Sequence, residues 1–283
     1  MSSTTYHRKV PSAIKNLDEM RTYQFSRIKS PNKLYTDHIY TITVPERLEQ
    51  RARTQSMFDL MGLDVEYVFG MYPENDPEYA ALQKKGLVSH LSGREFEIWK
   101  SHLKVWENML ERGYETALIL EDNIDFQTNV HSMIRKGQDI ISGKLRDRRW
   151  DIIYVGHCAD EFLSSPADDD YFFSNLRLLR SPACGHAYIL SVRGASKLSN
   201  LFRNYINNPI DLEIRDYIKS GAISGYSYYP SVFTQRRDFD ELSFFKSEFF
   251  TKALNSTLEH VTQYKGLYSI NEIVDMGLGS NPQ

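Results

Sequence analysis

Residues 117–126, ALILEDNIDF, bring four apolar residues directly against Glu121, Asp122 and Asn123, with Asp125 two positions further on. Carboxylate and amide oxygens are ligands for a hard divalent cation such as Mn2+ or Mg2+. A cation held there can neutralise a diphosphate leaving group. If extended backbone persists, Glu121 and Asn123 point to one side and Asp122 to the other. The same residue types also cap turns. Taken alone, the stretch is either a metal-and-phosphate site or the polar end of a buried strand.

The elements that must position these groups can be read from the flanking pattern. HIYTITV (38–44) has strand character, and PERLEQRARTQSMFDLMG follows as a helix. Thr43 and Glu46 have capping-box spacing, Pro45 suits a first turn, and Gly62 ends the helix. DVEYVFG is a second strand. Strand, helix, strand predicts a right-handed crossover in a parallel sheet. The clearest helix lies in LSGREFEIWKSHLKVWENMLERG, where Phe96, Trp99, Leu103, Trp106 and Leu110 recur at steps of three and four to form one stripe. Ser92 and Glu95 match a capping box, Leu91 and Phe96 its hydrophobic staple, and Gly113 the stop. TALILE (116–121) reads as a central parallel strand, so its carboxylates fall at the strand's C-terminal end, where α/β sheets place ligands. Downstream come a helix over roughly 129–143, a strand WDIIYVG, a polar loop HCADEFLSSPADDDYFF, a strand CGHAYILS, a helix VRGASKLSNLFRNYI, a short helix in NPIDLEIRDYIKSG, and a late strand and loop in SGYSYYPSVFTQ.

Bulk properties narrow the class. The 283 residues carry 34 basic and 37 acidic side chains, a net charge of -3, which argues against bulk affinity for nucleic acid or membranes. Residues 1–36 hold seven Lys or Arg against two acids and read as a basic arm. A main domain over 37–240 and a C-terminal extension over 241–283 complete the expected organisation. No stretch has the length and apolarity of a signal core or a transmembrane helix, which predicts a cytoplasmic chain as given, with a secretory route open if a leader is missing. Cys158 and Cys184 form no disulfide framework or zinc-finger spacing, which tilts towards a reduced compartment and an incidental or structural role.

Four segments, in order, resemble glycosyltransferase family 25, which includes lipopolysaccharide sugar transferases and collagen galactosyltransferases. They are IYTITVPERLEQR, then REFEIWKSHLKVWENMLERGYETALILEDNIDF with its Ser-His-Leu and acidic motif, then GHAYILSVRGASKL, then NPID. They cover about two thirds of the chain. The resemblance implies a GT-A-like fold: an α/β nucleotide-sugar-binding domain with a mostly parallel central sheet flanked by helices. It implies a UDP-sugar donor, often galactose or glucose, an acceptor hydroxyl on a glycan, lipid-linked glycan or protein, and Mn2+ (or Mg2+) held by Glu121, Asp122 and Asn123. It suggests inversion at the sugar.

The resemblance also points at Arg47, Arg51, Ser101, Gly185 and Tyr188, with Asp122, for the donor, and at Asp211, Glu95 and His102 for catalysis. Most of these have a structural alternative. Arg47 and Arg51, one turn apart, can grip a diphosphate as forked donors, or Arg51 can pair with a surface acid. Asp211 can accept a proton from the acceptor hydroxyl or cap a helix. Glu95 can complete the capping box, His102 can be a hydrogen-bonded core histidine, and Gly185 and Tyr188 can shape the site by turn and packing. The chain departs from the family pattern at Asn123, where a third acid is usual and an amide brings no charge. It departs again before Ser101, where Glu97 and Trp99 replace a small Gly-Cys pattern. A transferase-like protein that binds nucleotide, sugar or protein without catalysis is the alternative function.

Overall fold

The computed structural model describes residues 34–71, 76–88, 90–144, 149–158, 160, 171–172, 176–203, 207–236 and 256–279. Most of the basic arm and part of the C-terminal extension lie outside the described residues, as do 161–170 of the polar loop.

The chain enters strand β1 (His38–Thr43), turns into helix α1 (Leu48–Met61) and returns along β2 (Glu66–Phe69). Helix α2 (Pro77–Lys84) lies in the stretch that the sequence marks only as polar; Asp76 caps it by accepting from the Glu78 and Tyr79 amides. Helix α3 (Gly93–Arg112) starts at the expected capping box and stops at Gly113, whose left-handed φ of 70° suits a residue without Cβ. Then follow β3 (Thr116–Glu121), β4 (Ile124–Phe126), α4 (Val130–Asp139) with a π-helical turn over Ile140–Lys144, and β5 (Ile152–Gly156). Short strands β6 (Tyr171–Phe172) and β7 (Leu176–Leu178) precede β8 (Ala187–Ser191). Helices α5 (Val192–Phe202) and α6 (Ile210–Lys219), strands β9 (Gly225–Tyr228) and β10 (Phe233–Gln235), and helices α7 (Thr257–His260) and α8 (Ile270–Asp275) complete the described residues.

Eight strands form one sheet in the order β2-β1-β3-β8-β5-β9-β7-β6, and β4 pairs with β10 in a separate ribbon. β2, β1 and β3 are parallel, as is β5 with β9, while β8 runs against both β3 and β5 and β7 against β9 and β6. Six strands therefore share a direction and two oppose it: the sheet is mostly parallel by direction, with β8 inserted the other way. Side chains of β3 alternate between two apolar clusters. Leu118 and Leu120 join Met57 and Phe58 of α1. Ala117 and Ile119 join Trp99 and Trp106 of α3, Leu198 of α5 and Ile214 of α6. The domain is thus a helix–sheet–helix sandwich of the GT-A-like kind. Among the described residues no helix is long and apolar enough to cross a membrane.

The expected capping box at Thr43 and Glu46 does not form. The chain turns first, with the Arg47 amide donating to the Val44 carbonyl, and the helix begins at Leu48 without a side-chain cap. A stronger acceptor recruits the Thr43 hydroxyl.

Candidate active site

That acceptor is Asp122. β3 stays in register with β1 as far as Ile42 opposite Glu121, and the chain then turns through Asp122 and Asn123. The Asp122 carboxylate is 4% exposed and accepts from the Thr43 hydroxyl at 2.6 Å and from Arg47 Nη1 at 2.9 Å. Glu121 points to the opposite side, towards α3. The carboxamide oxygen of Asn123 is buried with no hydrogen-bond partner, although its backbone carbonyl accepts from the Arg236 amide. Asp125 is committed elsewhere: it accepts from Ser256 Oγ and the Leu258 amide and so docks the C-terminal segment. The acidic stretch therefore divides. Glu121, Asp122 and Asn123 stay at the candidate site, and Asp125 anchors the fold.

The two arginines diverge. Arg47 lies beside Asp122. Arg51 is fully buried, and its guanidinium donates to Thr43 Oγ1 at 3.1 Å, to the carbonyls of Val44 and Pro45, and to that of Gly279 at 3.3 Å. It also lies over the Phe69 ring, 5.2 Å from the centroid. The expected two-arginine fork is not assembled in this arrangement. Arg51 organises the β1–α1 turn on which Arg47 stands, because burial of a planar cation demands acceptors for its donors and backbone carbonyls are the nearest.

On the α3 side a chain of aromatic and polar groups leads to Glu121. Trp106 Nε1 donates to the Tyr188 hydroxyl at 2.9 Å, and that hydroxyl meets His102 Nδ1 at 2.8 Å. His102 Nε2 lies 4.0 Å from Glu121 Oε1 and has no hydrogen-bond partner. Burial lowers the His102 pKa to about 4, so the ring is neutral at physiological pH. Burial, with the nearby Asp122 carboxylate, raises Glu121 to about 7, Arg47 opposing and Asp211 adding to the effect. Ser101 donates to the Glu97 carbonyl at 2.8 Å and packs under Gly70 at the end of β2, where a Cβ would come within 2.7 Å of its hydroxyl. Glu95 completes the capping box, its carboxylate accepting from the Ser92 amide and hydroxyl at 2.7 Å each. Glu97, in the departure segment, is buried beside Asp76, and burial together with that carboxylate raises it to about 7. Trp99 is buried and donates to the Phe202 carbonyl, tying α3 to α5.

The third wall is the segment leading into β8. The Asp211 carboxylate, in the first turn of α6, accepts from the Cys184 amide at 3.2 Å instead of capping its own helix. Gly185 faces it, with an added Cβ 4.0 Å from Asp211 Cβ. The Glu121 amide donates to the His186 carbonyl at 2.9 Å. Cys158 and Cys184 form a disulfide, which agrees with a structural rather than an incidental role and runs against the tilt towards a reduced compartment. Their 26-residue separation hides the pairing, because β5 and β8 become neighbours only through the reversed strand. Sequence reasoning also missed Thr43 and Gln235. A hydroxyl at the end of β1 is a weak signal, and Gln235 reaches Glu121 Oε2 at 3.4 Å only through the β4–β10 ribbon.

The donor types are those a hard cation takes: an orphaned buried amide oxygen on Asn123, a Glu121 carboxyl whose ionised form is disfavoured first by burial and then by the neighbouring anions, and an Asp122 carboxylate pinned by Thr43 and Arg47 on the other side of the strand.

Residues 36–214 match the family model described as glycosyltransferase family 25 (LPS biosynthesis protein). A glycosyltransferase 25 family member of Anopheles gambiae is 27% identical over 184 residues, 59% of this chain and 29% of the relative. Procollagen galactosyltransferase 1-B of Xenopus laevis is 25% identical over 215 residues, 72% of this chain and 34% of the relative. A probable inactive glycosyltransferase 25 family member 3 of Rattus norvegicus is 26% identical over 196 residues, 60% of this chain and 31% of the relative. The matched part thus spans roughly a third of each relative's own length.

Proposed function

The chain belongs to glycosyltransferase family 25, and on that premise we propose that it is a UDP-sugar-dependent hexosyltransferase that moves galactose or glucose to an acceptor hydroxyl. The observation that carries this reading is the orphaned Asn123 oxygen beside Glu121 and Asp122 at the end of β3. Glu121, Asp122 and Asn123 would hold Mn2+ (or Mg2+), which when bound supplies positive charge against the departing diphosphate. Thr43 and Arg47 fix the Asp122 carboxylate, and Arg47 brings a second positive charge to the same end of the sheet. Neutral His102 and Tyr188 form a dry wall behind Glu121. Asp211, oriented by the Cys184 amide, takes the proton of the acceptor hydroxyl. The acceptor oxygen then forms the new bond to the sugar's C1, the C1–O bond to the diphosphate breaks with its electron pair leaving on UDP, and the configuration inverts.

The acceptor is a glycan, lipid-linked glycan or protein hydroxyl, and nothing in the charge pattern favours nucleic acid. The Cys158–Cys184 disulfide and the collagen-modifying relatives support a secretory route over the cytoplasm. The alternative, a family member that binds without catalysis, is favoured by Asn123 standing where a carboxylate is usual and by relatives described as inactive.

A screen of UDP-sugars for Mn2+-dependent UDP release, with Asp122→Ala as control, decides between them. Metal-dependent turnover lost in the variant supports transfer. Calorimetric UDP binding that ignores Mn2+, without turnover of any UDP-sugar, supports the binding reading.

A further inference from the structure

Residues 183–186 connect three parts of the site. The Cys158 amide, just past β5, donates to the Ala183 carbonyl at 3.0 Å, and Cys158 is joined to Cys184 by the disulfide. The Cys184 amide donates to Asp211, Gly185 faces Asp211, and the His186 carbonyl accepts from the Glu121 amide. Cys184 holds this arrangement at a φ of 66°, in the left-handed region that residues with a Cβ rarely occupy. A non-glycine residue persists there only when its surroundings over-determine it, and such residues gather at functional sites. Here the surroundings are a covalent tether on the side chain and a carboxylate on the amide.

We propose that the Cys158–Cys184 disulfide is a positioning device for the reaction: it locks residue 184 in the left-handed conformation that aims its N–H at Asp211 and thereby orients the base. This rests on the reading of Asp211 as the proton acceptor. Cys158 and Cys184 are positioning residues that touch no substrate; they act through Asp211.

Three measurements test it. Thiol titration of protein made in an oxidising host and unfolded without reductant is expected to find no free thiol, and two after dithiothreitol. Two thiols before reduction, with zinc bound by Cys158, Cys184 and the adjacent His186, would overturn the tether. Hydrogen exchange of the Cys184 amide is expected to quicken about tenfold in Cys158→Ser, the size of one lost hydrogen bond; unchanged exchange sinks the proposal whatever the activity. Kinetics then use UDP-galactose hydrolysis with Mn2+, well below the melting temperature. Cys158→Ser is expected to lower kcat about tenfold with KM for UDP-galactose within twofold. Cys158→Ser/Cys184→Gly should regain part of the loss, because glycine takes the left-handed conformation without a Cβ. A device that only stabilised the fold would lower the melting temperature and leave kcat alone. Asp211→Ala separates the two readings. Full kcat in that variant defeats Asp211 as base while hydrogen exchange still judges the lock. Abolished kcat there, with Cys158→Ser unaffected in kcat and exchange, defeats the lock alone.

Discussion

The two flanks of Glu121 are built on opposite terms. Towards the β1–α1 turn, Asp122, Thr43, Arg47 and Arg51 are knitted together, with only Arg51 Nε left over. Towards β8 and β5, Asn123 Oδ1, His102 Nε2, His186 Nδ1 and the Tyr154 hydroxyl are buried without partners. A buried polar group without a partner lowers stability by about 1–3 kcal/mol, so the second flank is the one with unused capacity. The difference suggests a division of labour. The paired flank holds its own groups, Asp122 and Arg47 among them, in fixed positions, and the unpaired flank leaves buried polar atoms available to an incoming group.

Substitutions can break that contrast. Asp122→Ala should have the largest effect: it removes the carboxylate that accepts from Arg47 and from the Thr43 hydroxyl, and we expect UDP-sugar turnover to fall at least about 100-fold with roughly 3 kcal/mol lost in denaturant unfolding. Turnover within threefold of wild type would remove Asp122 from the site. Arg51→Ala should cost about 3 kcal/mol while the folded variant's affinity for UDP, read by calorimetry, stays within twofold. A large loss of UDP affinity would return Arg51 to the donor site. Asn123→Asp should sharpen the contrast from the other flank, strengthening Mn2+ binding about tenfold and lowering metal-free stability by about 1–2 kcal/mol.

The smallest expected effect is on pH. The Glu121 carboxyl is raised to about 7 in the fold from an ordinary 4.5. The folded state therefore holds its proton more tightly, and stability falls as pH rises between those values. A cation needs the ionised form and competes with that proton. Mn2+ should accordingly bind about tenfold more weakly at pH 6 than at pH 8. A flat titration in wild type, matching Glu121→Gln, would exclude Glu121 as a ligand.

Strong local periodicity was legible. The α3 stripe, its capping box and its Gly113 stop appear where the spacing puts them, and TALILE is the strand that delivers the acidic motif. What was hidden depends on contacts between distant segments. Thr43 has capping-box spacing, yet the carboxylate of Asp122, 79 residues away, claims its hydroxyl. Asp211 looks like a helix cap, and its carboxylate turns instead to the Cys184 amide across the site. The two cysteines are neighbours only because β8 runs against the strands on either side of it. Short strands such as β7, three residues long, carry too little pattern to stand out.

Arg51 binds the carbonyl of Gly279, 228 residues further along, Ser56 accepts from the Tyr268 amide, and Asp125 holds Ser256 and Leu258. During synthesis, the wall that braces Arg47 therefore waits for segments that leave the ribosome well after it. Until they arrive, a buried guanidinium and a buried carboxylate lack part of their acceptors and donors. A chain cut before residue 256 would carry every residue of the candidate site and still lack the Ser256, Leu258, Tyr268 and Gly279 contacts that hold Asp125, Ser56 and Arg51.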